Sequence, residues 1–249
     1  MNSHSTRVVC IIEARFASTR LPGKVLKPIL GEPMLARLIE RLRRARRIDG
    51  LVVATSTSSA DDAVADVGVR AGAETFRGSE DDVLARVVGA ARANNADIIA
   101  EVTGDCPLHD PAIVDAVVAD YLNGGADFVS NIHPYTTPRG TDVRVFSADA
   151  LAEIERTSND PADREHVSLH FWEHPEKYRL RNVSFDFPAK ASRLRLTVDT
   201  PRDLELVTAI YEDLYPRNPE FTLADVMSLL ERRPDLAAMN ADVEQKAVR

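Results

Sequence analysis

The stretch VVCIIEARFASTRLPGK at residues 8–24 joins an apolar run to a cationic loop. The apolar run, at 7–12, predicts a short buried strand. Directly after it the chain gathers Arg15, Arg20 and Lys24 within ten residues. The carboxyl end of a buried strand in an α/β sheet is where ligands commonly bind. The position of these cations therefore raises the question of which anion they meet.

The cationic loop itself suits neither a helix nor a strand, because Pro22 and Gly23 break the chain just before the lysine. Backbone amides at 17–19 and at Gly23 can approach oxygen atoms closely, and the cations neutralise charge. The loop matches neither the P-loop pattern nor the dinucleotide-binding glycine pattern. Taken alone, it predicts either a triphosphate site or a surface loop whose arginines pair with acids.

Apolar runs and amphipathic segments alternate over the first half of the chain, which predicts an α/β fold with a mostly parallel sheet covered by helices on both faces. The strands are expected at 7–12, 51–55, 74–76, 96–104 and 127–132, and the helices at 33–46, 58–72, 80–94 and 110–125.

The second half is less regular, since a proline- and glycine-rich stretch follows residue 132. We expect one domain over 1–249 with an insertion at about 133–190 and a final strand of the main sheet at 193–199. The other expected elements are strands at 141–146 and 178–187, and helices at 148–158, 161–174, 200–215 and 222–234. The polar end, 240–249, is expected to fray.

Composition limits the classes of function. The 249 residues carry a net charge of −8, which disfavours nucleic acid as a partner. The arginine-rich stretch at 37–47 has helical apolar spacing, so we expect a solvated helix face there. No apolar run approaches the roughly 20 residues of a membrane span, and the polar start lacks the core of a secretory signal. Cys10 and Cys106 are expected to be reduced and packed in a cytoplasmic protein.

Two aspartates follow predicted strands elsewhere in the chain. Asp105 lies in TGDCPL at 103–108, and Asp199 lies in TVDTPRDL at 197–204. Either residue alone could simply cap a helix. Two carboxylates on separate strand ends, facing a cationic loop, would instead suit Mg²⁺, which prefers few carboxylates together with water and phosphate oxygens.

The three motifs in this order, R-x-x-S-x-R-x-P-G-K, GDCP and VDTPRDL, resemble the cytidylyltransferases that activate acidic sugars. That family includes the 3-deoxy-manno-octulosonate and acylneuraminate enzymes, and the sequence looks most similar to its spore coat polysaccharide biosynthesis protein F branch. The resemblance extends over nearly the whole chain, including RGSEDDVLARV at 77–87. It implies a Rossmann-like, GT-A-like nucleotidyltransferase fold of three layers with an inserted dimerisation and sugar-binding subdomain.

The resemblance also implies roles for individual residues. Lys24, Arg20 and Asp105 would be catalytic, and Asp105 and Asp199 would hold Mg²⁺. The nucleotide would meet Ala14, Arg15, Ser18, Arg20, Lys24, Arg77, Ser79, Asp82, Arg86, Thr103 and Gly104. The sugar would meet Arg139, Gly140, Asp142, Arg164, Glu165 and His166. The segment 77–86, expected at the base, departs from the octulosonate enzymes.

The expected reaction is transfer of CMP from CTP to a small acidic sugar with release of pyrophosphate, carried out by a homodimer in surface polysaccharide or glycan synthesis. Two alternatives stay open at this point. One is a sugar-1-phosphate nucleotidylyltransferase that uses GTP or another triphosphate, for which Arg139, Arg144 and Arg164 supply cations. The other is a non-catalytic nucleotide-binding homologue.

Overall fold

The computed structural model describes residues 5–245, and its centre is a seven-stranded sheet. The strands of the chain are β1 (Val8–Glu13), β2 (Pro28–Ile29), β3 (Glu32–Pro33), β4 (Gly50–Ser56), β5 (Glu74–Gly78), β6 (Ile98–Thr103), β7 (Phe128–Ser130), β8 (Arg144–Ser147) and β9 (Leu180–Asn182). The large sheet has the order β5-β4-β1-β6-β8-β7-β9. Only β8 runs antiparallel to its neighbours in it, so the predicted mostly parallel sheet is confirmed.

Helices cover both faces of this sheet. They are α1 (Met34–Leu42), α2 (Asp62–Arg70), α3 (Val83–Ala93), α4 (Pro111–Leu122), α5 (Ala148–Thr157), α6 (Pro161–Glu165), α7 (Leu169–Glu173), α8 (Pro201–Leu214), α9 (Leu223–Arg232) and α10 (Pro234–Ala238). Alternation along β1 sends Cys10 and Ile12 into one apolar cluster, and Val9 and Ile11 into the other. The result is the three-layer α/β architecture expected from the sequence.

Local signals explain where two helices begin. Asp110 caps α4 by accepting a hydrogen bond from the Ala112 amide at 2.8 Å, with Pro111 at the first helical position. At α8, Thr200 and Asp203 form a reciprocal capping box. Because Asp110 does the capping in its region, Asp105 is left available for another role.

The predicted strand at 193–199 is wrong. Arg193 ends a 3-10 helix, and the rest of the segment forms a single bridge, between Arg139 and Arg195. Its backbone bonds go instead to loops: the Leu196 amide donates to the Arg139 carbonyl at 2.8 Å, and the Val198 amide donates to the Asp105 carbonyl at 2.8 Å. The apolar residues of the segment do alternate, but its backbone lies between the loops of Arg139 and Asp105 and does not pair with a strand.

The segment 133–190 supplies β8 and β9 to the main sheet. The helix expected at 161–174 is split into α6 and α7, and the strand expected at 178–187 is reduced to three residues. The strand β8 lies between β6 and β7, where its antiparallel pairing joins the two halves of the sheet.

The arginine-rich helix is more buried than its pattern predicts. Arg37 and Arg41 are buried, the first over the Tyr215 ring at 4.4 Å and the second over the Phe221 ring at 4.2 Å. Aromatic stacking and carbonyl contacts thus replace the solvation expected for these two side chains. Arg43 and Arg46 are exposed, as expected of a solvated face.

Both cysteines are free and buried, as predicted. Burial raises the pKa of Cys10 to about 12. Among the helices of residues 5–245, none has the length and apolar character that crossing a membrane requires.

Candidate active site

Three chain segments meet beyond the carboxyl ends of β1 and β6. The Gly104 amide donates to the Glu13 carbonyl at 2.8 Å, which joins the ends of the two strands. A Cβ atom at Gly104 would lie 2.8 Å from the Ala14 Cβ and 2.9 Å from the Glu13 carbonyl oxygen. Only glycine fits this approach. The bond from Val198 to Asp105 adds the segment that ends at Asp199.

Lys24 joins the two aspartates that these segments carry. Its ammonium lies 2.6 Å from Oδ2 of Asp105 and 2.7 Å from Oδ1 of Asp199. All three side chains are mostly buried. Residues 24, 105 and 199 come from three separate motifs of the sequence, and the fold brings their charged groups within contact of one another.

Asp199 also forms ion pairs with two arginines. Arg20 lies 3.1 Å from its Oδ2, and Arg195 contacts the same oxygen. Arg195 also lies 3.1 Å from the buried carboxylate of Asp203, which accepts hydrogen bonds from the Asp199 and Thr200 amides. The short turn at the start of α8 is therefore held by charge and by capping together.

The electrostatics follow from this arrangement. Burial raises the pKa of Asp105, but the Lys24 ammonium outweighs it, so the pKa is lower than that of an ordinary aspartate. Burial lowers the pKa of Lys24, but Asp105 and Asp199 outweigh it, so this pKa is raised. Lys24 and Asp105 are thus both held in their charged forms.

The cationic loop has a fixed shape. Gly23 adopts φ 65°, and its amide donates to the Phe16 carbonyl at 3.0 Å, which folds the loop back on itself. The Phe16 amide donates in turn to Oδ1 of the buried Asp61. Leu21 and Val25 pack into the core on either side of the turn. Ser18 lies part-buried within the loop.

The segment 77–86 lies beside the start of this loop. Arg15 donates to the Glu80 carbonyl at 3.3 Å, and Arg86 donates to the Ser79 carbonyl at 2.6 Å. Asp82 caps α3. Apart from Arg77, the structure therefore brings the residues expected at the nucleotide into two neighbouring groups: one on the cationic loop and one on the segment 77–86. Ala14 and Thr103 lie at the ends of the strands below.

Arg77 has a different set of contacts. It donates to the Ser56 carbonyl at 2.9 Å and the Ser58 carbonyl at 2.8 Å, and it lies 2.7 Å from Asp62. These contacts tie the end of β4 to the beginning of α2.

The expected sugar residues separate into two places. Arg139, Gly140 and Asp142 form one group, in which the Gly140 amide and the Tyr135 hydroxyl both donate to Asp142. Arg139 stacks on the Tyr135 ring at 4.5 Å. This group borders the segment leading to Asp199, because a Cβ at Gly140 would lie 2.5 Å from the Thr197 amide nitrogen.

Arg164 belongs to the second place. It lies 3.1 Å from Asp82, which was expected at the nucleotide, and its guanidinium donates to the Ser158 and Glu155 carbonyls. Helix α6, which carries Arg164 and Glu165 and is followed by His166, packs against α3. No local pattern in the sequence predicts this long-range packing.

The donor set at Asp105 and Asp199 is compatible with a divalent cation that also binds phosphate. The two carboxylates already face one ammonium between them. Within residues 5–245, no group of three or more His, Cys, Asp or Glu side chains is arranged to hold a metal ion. Two carboxylates, with water and phosphate completing the shell, are what Mg²⁺ commonly takes in phosphoryl-transfer sites.

The sequence profile of the cytidylyltransferase family matches residues 9–243, which include every segment of this site. The chain belongs to the cytidylyltransferase family. It is 34% identical over 235 residues to spore coat polysaccharide biosynthesis protein SpsF of Bacillus subtilis, a match that covers 92% of this chain and 96% of that protein.

Solved structures agree with this cytidylyltransferase assignment. A cytidylyltransferase from Leptospira borgpetersenii has a TM-score of 0.89 at 29% identity, over 98% of this chain and all of that one. A CMP:2-keto-3-deoxy-manno-octonic acid synthetase complexed with CTP has a TM-score of 0.64 at 21% identity, over 83% of this chain and 99% of the other. The latter match supports the shared fold.

Three charged residues near these segments, Glu13, Glu101 and Arg195, had no assignment from the sequence, and Arg144 was named only for the alternative acceptor. Arg195 contacts Asp199, and its place in the alternating RLRL stretch was the only available signal. Glu13 ends β1 directly before the cationic loop, and Glu101 lies on β6 opposite Ile11. Arg144 lies 3.5 Å from both Glu101 and Asp142. Acidic residues inside apolar strands were the signal that could have identified Glu13 and Glu101.

Proposed function

We propose that this cytidylyltransferase transfers CMP from CTP to an acidic sugar of the ulosonate or nonulosonate type and releases pyrophosphate. The observation that carries the proposal is the contact of Lys24 with both Asp105 and Asp199, with Arg20 beside them. The names of SpsF and of the CTP-bound synthetase support a role in polysaccharide synthesis and an acidic acceptor.

In the proposed reaction a sugar hydroxyl attacks the α-phosphorus in line with the leaving pyrophosphate. Lys24 and Arg20 bind the triphosphate and neutralise the charge that develops on the leaving group. Arg15 and Ser18, on the same loop, add contacts to phosphate oxygens. Most of the catalysis by these residues is positioning and charge neutralisation.

Asp105 and Asp199 would hold Mg²⁺ in this proposal. When bound, Mg²⁺ supplies Lewis-acid polarisation of phosphate oxygens and lowers the pKa of a coordinated hydroxyl. Arg195 and Asp203 keep the Asp199 carboxylate oriented toward the site through the contacts described above.

The acceptor would lie along Arg139, Gly140 and Asp142, which border the Asp199 segment. The structure gives a reason to prefer an acidic sugar over a sugar 1-phosphate. Arg144 contacts Glu101 and Asp142, and Arg164 contacts Asp82, so both of these charges are already balanced. Arg144 and Arg164 thus have carboxylate partners, whereas Arg139 has none among the ion pairs found in residues 5–245.

The oligomeric state is part of the same proposal. The strand β9 pairs with β7 alone within the described chain and forms an edge of the sheet, where Leu180 is exposed. An apolar residue on an open edge favours association. We propose a homodimer of single-domain subunits, to be checked by light scattering of the wild type and of Leu180→Lys.

A pyrophosphate-release screen tests the function directly. The protein is incubated with Mg²⁺ and each of CTP, UTP, GTP and ATP, together with acidic sugars and sugar 1-phosphates. Release that requires CTP and an acidic sugar supports the proposal. Release that requires a sugar 1-phosphate would replace it, and triphosphate-dependent stabilisation without turnover on any acceptor would favour a binding role.

A further inference from the structure

Every carboxylate oxygen of Asp105 and Asp199 has a donor in the structure. Oδ2 of Asp105 and Oδ1 of Asp199 share the Lys24 ammonium, at 2.6 Å and 2.7 Å. Oδ1 of Asp105 accepts a hydrogen bond from the Cys106 thiol at 3.3 Å. Oδ2 of Asp199 is occupied by the two arginines described above. The oxygens through which one cation joins both carboxylates are therefore the two that Lys24 contacts.

The formal charges of this ion-pair network balance. Three carboxylates meet three cations in it, and the members are Asp105, Asp199, Asp203, Lys24, Arg20 and Arg195. A divalent cation added alone would leave two excess positive charges in a mostly buried place, where charges are weakly screened. A triphosphate brings more negative charge than one such ion adds. Charge balance therefore favours metal and triphosphate binding together over metal binding alone.

The Lys24 ammonium is placed so that it can change partners. Lys24 directly follows Gly23 in the cationic loop, and the proposed function assigns this loop to the triphosphate. The side chain of Lys24 is 13% exposed and that of Asp105 is 21% exposed, so solvent reaches their contact. A lysine carries its charge on a flexible four-carbon stem, so the ammonium can move while the loop stays in place.

The surface opens beside this contact. Arg20, which lies 3.1 Å from Asp199, lines a recess of about 290 Å³ together with Thr19, Glu244 and Gln245. Ligands can therefore approach the ion-pair network from the side of Arg20.

We propose that, before the nucleotide binds, the Lys24 ammonium occupies the position between Asp105 and Asp199 that a divalent cation takes afterwards. The inference rests on the proposed function, which assigns the metal to the aspartates and the triphosphate to Lys24. When the nucleotide binds, the ammonium leaves the carboxylates and pairs with phosphate oxygens. The freed carboxylate oxygens then become ligands for the metal that accompanies the triphosphate. Lys24 thus makes metal binding depend on the nucleotide.

Binding of Mn²⁺ without nucleotide tests the shared position, because electron paramagnetic resonance measures the free ion directly. Lys24→Met removes the competing ammonium, so the variant should bind Mn²⁺ at least about tenfold more tightly than the wild type. Lys27→Met is the matched control, since Lys27 lies on the same stretch and is also part-buried. It should bind Mn²⁺ as the wild type does. If Lys24→Met binds no more tightly than Lys27→Met, the shared position is wrong.

A second variant guards against a folding defect in Lys24→Met. Lys24→Gln keeps a hydrogen-bond donor beside the two carboxylates and should show the same gain in Mn²⁺ affinity. Thermal unfolding gives an independent readout, because a ligand that binds the folded state raises the Tm. Mg²⁺ alone should raise the Tm of Lys24→Gln by more than that of the wild type. Equal shifts in the two proteins would overturn the proposal.

The failure of this inference can be told apart from failure of the proposed function, because the metal measurements use neither nucleotide nor acceptor. If the wild type releases pyrophosphate from CTP and neither Lys24 variant gains metal affinity, the proposed function stands and the shared position is wrong. If both variants gain metal affinity but the wild type turns over no triphosphate, the shared position stands and the proposed reaction is wrong.

Discussion

The Lys24 ammonium lies 2.6 Å from Oδ2 of Asp105, although 81 residues separate them in the chain. The contact links the cationic loop after β1 to the turn after β6, and Asp199 completes it from a third segment. Each motif alone admitted a structural explanation, such as a surface loop or a helix cap. Their convergence on one ammonium makes the catalytic interpretation the better supported one.

Replacing Asp105 or Asp199 by asparagine should reduce kcat by about 1,000-fold or more while CTP binding is partly retained. The change removes a charge that the proposal assigns to the metal but leaves the size of the side chain unaltered. Pyrophosphate release at saturating Mg²⁺ measures it. Asp66→Asn, on an exposed residue of α2, should be neutral. Normal turnover by Asp105→Asn would refute the assignment.

Lys24→Met should lower kcat and also lower the stability of the free protein, by about 3 kcal/mol at pH 7, because two mostly buried carboxylates lose their shared cation. In the wild type the pKa of Asp105 in the folded protein is lower than the pKa of about 3.9 of an ordinary aspartate. Ionised Asp105 therefore stabilises the folded state above about pH 3.9, and this stabilisation is lost as pH falls through the lower folded-state pKa.

Without the ammonium, burial should raise the pKa of Asp105, so the Lys24→Met variant should gain stability relative to the wild type as pH falls from 7 to 5. Urea denaturation of both proteins at several pH values checks the sign. A stability difference between the two proteins that is independent of pH in this range would show that Lys24 does not control Asp105.

Gly140→Ala should destabilise the protein by about 3 kcal/mol or more and reduce activity. Gly140 has φ +96°, and the new Cβ would lie 2.5 Å from the Thr197 amide nitrogen, on the segment that carries Asp199. Gly124→Ala is the matched control, since Gly124 has φ +79° but nothing within 4 Å of its Cβ position. It should cost only about 1 kcal/mol. Equal losses in the two variants would show that the contact has no effect.

His109 should make the protein sensitive to acid. Burial, with help from Arg41 and Arg144, lowers its pKa to about 3, and both ring nitrogens are buried without partners in the described structure. Because the folded pKa lies below the unfolded value of about 6.5, stability is lost as pH falls from about 6.5 towards 3. The loss approaches about 1.4 kcal/mol per pH unit.

His109→Leu should remove this loss and change little at pH 8, where no hydrogen bond of the ring is broken. Denaturant unfolding of the variant and the wild type at pH 8 and pH 5 makes the comparison. The same slope in both proteins would assign the acid sensitivity to another group.

The regular part of the fold could be predicted from the sequence because its signals are local. The apolar runs gave β1, β4 and β6 within about two residues, and Asp110 with Pro111 marked the start of α4. The order of the strands could not be predicted in the same way. The insertion of β8 between β6 and β7 depends on pairing between distant segments, which periodicity does not record.

The same distinction applies to the site. The motifs identified Lys24, Asp105 and Asp199, which the fold brings together. Arg164 was expected with the sugar residues, but its ion pair with Asp82 depends on how α6 packs against α3. The end of the chain, expected to fray, is anchored at least as far as the buried Asn240, while residues 246–249 lie outside the described structure.

Asn240 donates 2.7 Å to Oδ1 of Asp203 and 3.0 Å to the Arg195 carbonyl, and these two residues hold the Asp199 turn. The segment after α10 thus supports the Asp199 turn, whereas Lys24, Asp105 and Asp199 all lie earlier in the chain. During synthesis, the Asp199 turn receives these two bonds only when Asn240 has emerged. A nascent chain stalled before Asn240 would carry every proposed catalytic group and still be an incomplete enzyme.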